Sequence, residues 1–152
     1  MKIVSGAQTG VDRAALDAAL ETHNPTGGWC PQGRMAEDGI IPEIYPVTEL
    51  PNAGYRERTK QNVLDSDATL IIYFTTLSGG TLYTADCCRE LNRPHLLIDA
   101  EKMAIERAAE KVVAFIDQHT ITVLNVAGPR ASGDARAYGY AKQLILTLLD
   151  EL

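Results

Sequence analysis

Four short apolar runs, Lys2 to Ser5, Thr69 to Phe74, His95 to Asp99 and Ile121 to Val126, lack the polar alternation of strands that wet one face. Rich in Ile, Val and Leu, they read as strands buried on both faces, the mark of parallel pairing. Parallel neighbours need crossover connections, and the intervening segments supply them. Ile105, Ala109, Val112, Val113 and Ile116 form one apolar stripe at helical spacing, and Tyr138, Ala141, Leu144, Ile145 and Leu148 form another. Helices covering both faces of such strands give an open three-layer α/β sandwich with a mainly parallel sheet of about five strands. A chain of 152 residues, 45% hydrophobic, has the length and apolar content for a single domain over residues 1–152.

One stretch breaks the rhythm. From Asn24 to Gly54 the chain carries Pro25, Pro31, Pro42, Pro46 and Pro51, yet it also holds Trp29, Ile40, Ile41, Ile44 and Tyr45. A long loop with its own apolar residues reads as an ordered wall or lid, with a short extra strand expected around Gly27 to Cys30.

Charge and cysteine content narrow the partners. A net charge of -6 gives no basic field for nucleic acid, so a small molecule is the expected partner. The N-terminus runs straight into a strand-like segment with no apolar stretch long enough for a leader or a span, and a cytoplasmic location is expected. Cys30, Cys87 and Cys88 read as reduced thiols, the adjacent pair being awkward to bridge. His23, His95 and His119 are scattered between elements, and no spacing suggests a protein-ligated metal.

Chemistry concentrates in the turns. Ser5-Gly6-Ala7-Gln8-Thr9-Gly10 lies between the first strand and a helix, where small residues admit a ligand and a helix N-terminus attracts an anion. Ser5, Gln8 and Thr9 are candidate additional donors to a phosphate. Ser78-Gly79-Gly80-Thr81 follows the strongest strand and opens another helix, so two such turns can converge where an open α/β sheet binds ligands. Arg130, in the loop after the last strand, is placed to clamp a phosphate bidentately. The helix expected from Tyr55 to Ser66 puts Arg58 and Asn62 on one side. Trp29 is suited either to stacking on a ring or to plugging the sheet edge, and Arg34, Glu37 and Asp38 either to closing the pocket or to pairing at the surface.

These segments resemble known families. Ser5 to Asp12, with Ala15, Ala19 and Leu20, is similar to the signature of the DNA-processing protein A Rossmann domain. Arg58, Ser66-Asp67-Ala68 and Gly79-Gly80-Thr81-Leu82 resemble the Lonely Guy phosphoribohydrolases. A likeness running through nearly the whole chain is to proteins called molybdenum cofactor carriers. It takes in Gly27 to Pro31, Gly33-Arg34, Glu37-Asp38-Gly39, Arg58-Thr59, Ser66 to Ile71, Ser78 to Thr81 and Asn125 to Arg130. The resemblance implies a Rossmann-like fold and a homo-oligomer, dimer or tetramer. It also implies a phosphorylated nucleotide-like ligand, with molybdenum cofactor (molybdopterin) as the named candidate, held by Ser5, Gly6, Ala7, Gln8, Thr9, Gly10, Arg34, Arg58, Ser78, Gly79, Gly80, Thr81, Thr84 and Arg130.

The same comparison disfavours phosphoribohydrolase chemistry. Thr84 stands where those enzymes keep a glutamate, and Thr59 where they keep a lysine. A threonine is no acid or base at neutral pH. The expectation is therefore a binding or carrier protein. The alternative is a hydrolase of an N-glycosidic or phosphate bond drawing its acid from Glu37 or Asp38. Single-strand nucleic-acid binding, which wants a basic groove with stacking aromatics, ranks third.

Overall fold

The computed structural model describes residues 1–152. Five parallel strands form the central sheet: β1 (Lys2–Val4), β2 (Thr26–Gly27), β7 (Ala68–Tyr73), β8 (His95–Asp99) and β9 (Val123–Ala127), in the order β2-β1-β9-β7-β8. Ile3 lies opposite Leu124, Leu70 opposite Val126 and Ile71 opposite Leu97. In β7 the run Ala68 to Ile72 is buried throughout, as a strand covered on both faces requires.

The helices are α1 (Val11–Glu21), α2 (Tyr55–Leu64), α3 (Gly79–Glu90), α4 (Ile105–His119) and α5 (Ala137–Glu151). One core unites α1, α4 and α5 with the sheet through Val11, Ala14, Ala18, Val112, Ile116, Leu144 and Leu148. The opposite face is covered by α2 and α3 through Val63, Ala85 and Cys88 against Ile71. The alanines of α1 keep that helix close to its neighbours. Thr120 caps α4 in the left-handed conformation.

The topology itself creates a crevice. The chain leaves β1 outward to β2 through α1, and leaves β7 in the other direction to β8 through α3. With right-handed crossovers, opposite directions of travel put α1 and α3 on opposite faces and open a gap above β9. Gly128, at the end of β9, sits at the tightest point: a Cβ there would lie 2.6 Å from Val11 Cγ2 and 2.7 Å from the Ile72 carbonyl oxygen.

The long loop is ordered, as expected, and packs on α1 through Cys30, Ile41, Tyr45 and Val47. It holds two small sheets, β3 (Trp29–Cys30) parallel to β6 (Thr48–Glu49), and β4 (Met35–Ala36) antiparallel to β5 (Gly39–Ile40). The strand expected around Gly27 to Cys30 is in fact two. Gly28, at φ 129°, breaks it and sends the second half into a different sheet. The helix expected to reach Ser66 stops at Leu64, and the Ser66 hydroxyl donates to the Asn62 carbonyl at 2.8 Å.

Candidate functional site

A cleft of about 610 Å³ opens above β9, between α2, the start of α3 and the loop after β9. Of the residues singled out in the sequence, Gln8, Arg58, Ser78, Gly79, Gly80, Thr81, Thr84 and Arg130 line it. Three guanidiniums, Arg56, Arg58 and Arg130, face two carboxylates, Asp12 and Asp134, and Asp134 is engaged by Arg136 at 2.8 Å. An acidic chain therefore presents a cationic cleft.

Arg58 is the centre of it. Its side chain is 11% exposed, makes no hydrogen bond, and leaves Nε buried without a partner. Its one ion-pair contact is the buried Asp12 carboxylate, 3.7 Å away, too long for a hydrogen bond. Burial pushes the Arg58 pKa down, with Asp12 opposing that shift, but a guanidinium stays charged at any ordinary pH. Burial likewise raises the Asp12 pKa, against the pull of Arg58. Gly6 makes room for this cation, since a Cβ there would lie 2.6 Å from Arg58 Cζ and closer still to Nη1.

Aromatic faces hold the other cations. Arg130 lies over the Tyr55 ring at 4.6 Å, with Arg58 5.8 Å from the same centroid, and Arg56 lies over Tyr83 at 4.6 Å. Each stack holds a guanidinium in place without consuming its N–H donors. At the start of α3 no side chain caps the helix, and the N–H groups of Gly79, Gly80 and Thr81 make no hydrogen bond within the chain. They add a helix-terminal donor set on the cleft wall. The Thr84 hydroxyl is turned back to the Gly80 carbonyl at 2.9 Å.

The first turn is arranged differently from the expectation. Part of its donor set is spent within the fold, Ala7 N–H on Ser5 Oγ at 3.2 Å, Gln8 N–H on Asp12 Oδ2 at 3.2 Å, and Val11 N–H on the Pro129 carbonyl at 3.2 Å, while the N–H groups of Gly6, Thr9 and Gly10 make no hydrogen bond in the chain but lie outside the cleft lining. The loop after β9 seats directly on this turn, which is why Gly10, at φ 79°, has no room for a side chain. Ser5, Ala7, Thr9 and Gly10 consequently do not line the cleft. Gln8 does line it, with one N–H of its Nε2 given to the Met35 carbonyl at 2.8 Å.

The long-loop residues are structural ties. Arg34 donates to the carbonyls of Ile41, Pro42, Tyr45 and Val47 at 2.8–3.2 Å, and so braces its own loop away from the cleft. Asp38 forms a forked pair with Arg13, which holds its carboxyl below the usual range. Glu37 accepts from Thr9 Oγ1 and from the Ser132 N–H and hydroxyl, at 3.2 and 2.5 Å, and these hydroxyls lower its pKa. Neither carboxylate lines the cleft. Trp29 donates its indole N–H to Asp65 at 2.7 Å, and Asn62 brackets the Trp29 backbone at 2.7 and 2.9 Å, so both join β3 to α2. Asp12, Tyr55, Arg56 and Tyr83 also line the cleft. Asp12 reads in sequence as an acidic residue favoured in a first helical turn, which conceals its place beneath Arg58.

Fold and cleft together define a Rossmann-like α/β protein whose main cleft lies at the carboxyl ends of its parallel strands, where open α/β sheets bind ligands. Residues 3–149 match the model of the circularly permutated YpsA SLOG family, and the chain belongs to that family. It is also similar to the crystal structure of the "Putative molybdenum carrier protein" from Syntrophus aciditrophicus SB, with 47% identity and a TM-score of 0.95 over 97% of this chain and 94% of that one. No curated protein matches it.

Proposed function

We propose that this chain is a binding or carrier protein for a phosphorylated, ring-bearing, nucleotide-like cofactor, held without cleavage in the cleft above β9. The observation that carries the reading is Arg58, a largely buried cation whose side chain makes no hydrogen bond, sharing the cleft with a helix N-terminus whose N–H groups are free. Leaving such a donor unpaired is costly, and a phosphate oxygen would satisfy it. Arg130 and Arg56, each fixed on a tyrosine face, would complete the charge match.

The similar structure is called a molybdenum carrier protein, which supports the molybdenum cofactor as the candidate ligand of this reading. The cleft's guanidiniums, hydroxyls and amide groups suit the phosphate and planar ring of such a cofactor. Arg58 and the start of α3 would hold its phosphate, and Tyr55 with Arg130 would flank its ring. Metal chemistry would then belong to the bound cofactor, while this chain binds, orients and shields.

Hydrolysis is the rival. Glu37 is held ionised at the cleft margin by the hydroxyls of Ser132 and Thr9, which suits tying loops together better than giving up a proton. The discriminating experiment is calorimetric titration with molybdopterin, AMP and ADP-ribose, with product analysis after incubation. The proposal expects stoichiometric binding of at least one of them and no product. Turnover that disappears in Glu37→Gln would overturn it.

A further inference from the structure

Gln8 carries the second orphaned atom of the cleft, and its polarity is opposite to that of Arg58. The residue is 2% exposed, and its amide orientation is set by chemistry, because the Met35 carbonyl can only accept and therefore takes the NH₂ group at 2.8 Å. The oxygen, Oε1, is left buried without a donor, and it belongs to a residue that lines the cleft. A carbonyl oxygen so placed repels a phosphate; what satisfies it is an N–H or O–H. The residue sits beside the proposed anion site. The Gln8 backbone N–H and Arg58 Nη1 touch the same Asp12 oxygen, at 3.2 and 3.7 Å.

We infer that Gln8 is a specificity-determining residue. It selects phosphate esters that carry a hydroxyl or ring N–H donor on the unit next to the phosphate, and discriminates against the bare anion. This rests on the anion-site reading of Arg58 and deepens it: Arg58 supplies affinity for the phosphate, and Gln8 reads what the phosphate is attached to. The tie from Gln8 to Met35 also makes the long loop part of that recognition, since the loop's backbone fixes which end of the amide faces the ligand.

The test measures Kd by calorimetry for inorganic phosphate, AMP and hydroxymethylpterin phosphate, on the wild-type chain, Gln8→Met and Arg58→Met. The wild type should bind at least one ester about tenfold or more tighter than inorganic phosphate. Gln8→Met should weaken that ester by about tenfold, the scale of one lost hydrogen bond, and leave inorganic phosphate within about threefold. Gln8→Asn, which withdraws the carbonyl while keeping an amide, gives the same comparison should the methionine variant fail to fold. Equal weakening of ester and phosphate, or no ester preference in the wild type, would overturn the role of Gln8. Undiminished phosphate binding in Arg58→Met would instead overturn the anion reading beneath it.

Discussion

Replacing Gly6 with alanine moves the central cation without removing it. The added methyl would sit 2.6 Å from Arg58 Cζ and 3.1 Å from Nε, against an ordinary van der Waals approach of about 3.5–4 Å. The obstructed atoms are the far end of a flexible side chain, and Gly6 does not occupy a positive-φ conformation, so the backbone accommodates alanine and the guanidinium swings aside. Stability should change by less than about 1 kcal/mol, because Arg58 forfeits no hydrogen bond in moving. Binding should suffer far more. A charge-assisted hydrogen bond is worth about 1.5–3 kcal/mol, so inorganic phosphate should bind roughly ten- to hundredfold more weakly. Calorimetry and thermal melts on Gly6→Ala, Arg58→Met and the double variant close the cycle. The double variant should bind no worse than Arg58→Met alone, since both changes act through one group. Additive losses, or a folded Gly6→Ala with wild-type affinity, would refute the reasoning.

Other outcomes test the frame around the site. Gly28→Ala should destabilise the chain by about 3 kcal/mol or more, because φ is 129° and a Cβ would meet the Ser5 backbone nitrogen at 2.9 Å with its carbonyl oxygen nearer still; a denaturant melt checks this. Asp67 Oδ2 accepts from Thr122 N–H, Thr122 Oγ1 and Val123 N–H at 2.8–2.9 Å, so Asp67→Ala should cost about 1 kcal/mol by the same assay and loosen the start of β9 in hydrogen exchange. Glu37 has a depressed folded pKa, chiefly through the Ser132 hydroxyl; its stabilisation is therefore present above the ordinary glutamate value of about 4.3 and lost as pH falls through the lower folded value. Thermal melts across that acid window should show a loss in the wild type that is smaller in Glu37→Gln.

The inner strands were legible because burial on both faces writes a continuous apolar run, and α4 and α5 each write a stripe; β8 reads the same way in sequence but is an edge strand in which only Ile98 is buried. The two glycine turns were legible as well, but their division of labour was not. Ser5 to Gly10 and Ser78 to Thr81 look alike as small residues before a helix. What separates them is that the loop carrying Pro129 and Ala131 closes over the first and leaves the second open. That is a contact across more than a hundred residues, with no local sequence trace. Arg34 and Arg58 are equivalent by the same standard. One finds four carbonyls of its own loop and the other finds none. Gln8 could be named from its position, but the polarity it offers depends on Met35, which a strand-turn-helix pattern cannot show.

In the proposed function, the cleft above β9 holds a phosphate on Arg58 and the start of α3. A crystal structure of the protein grown with AMP or inorganic phosphate addresses it most directly. The expected result is a phosphate within hydrogen-bond distance of the Arg58 guanidinium and of the N–H groups of Gly79 to Thr81. A phosphate seated instead on the Ser5 to Gly10 turn, or a cleft that stays free of anion at saturating concentration, would contradict it.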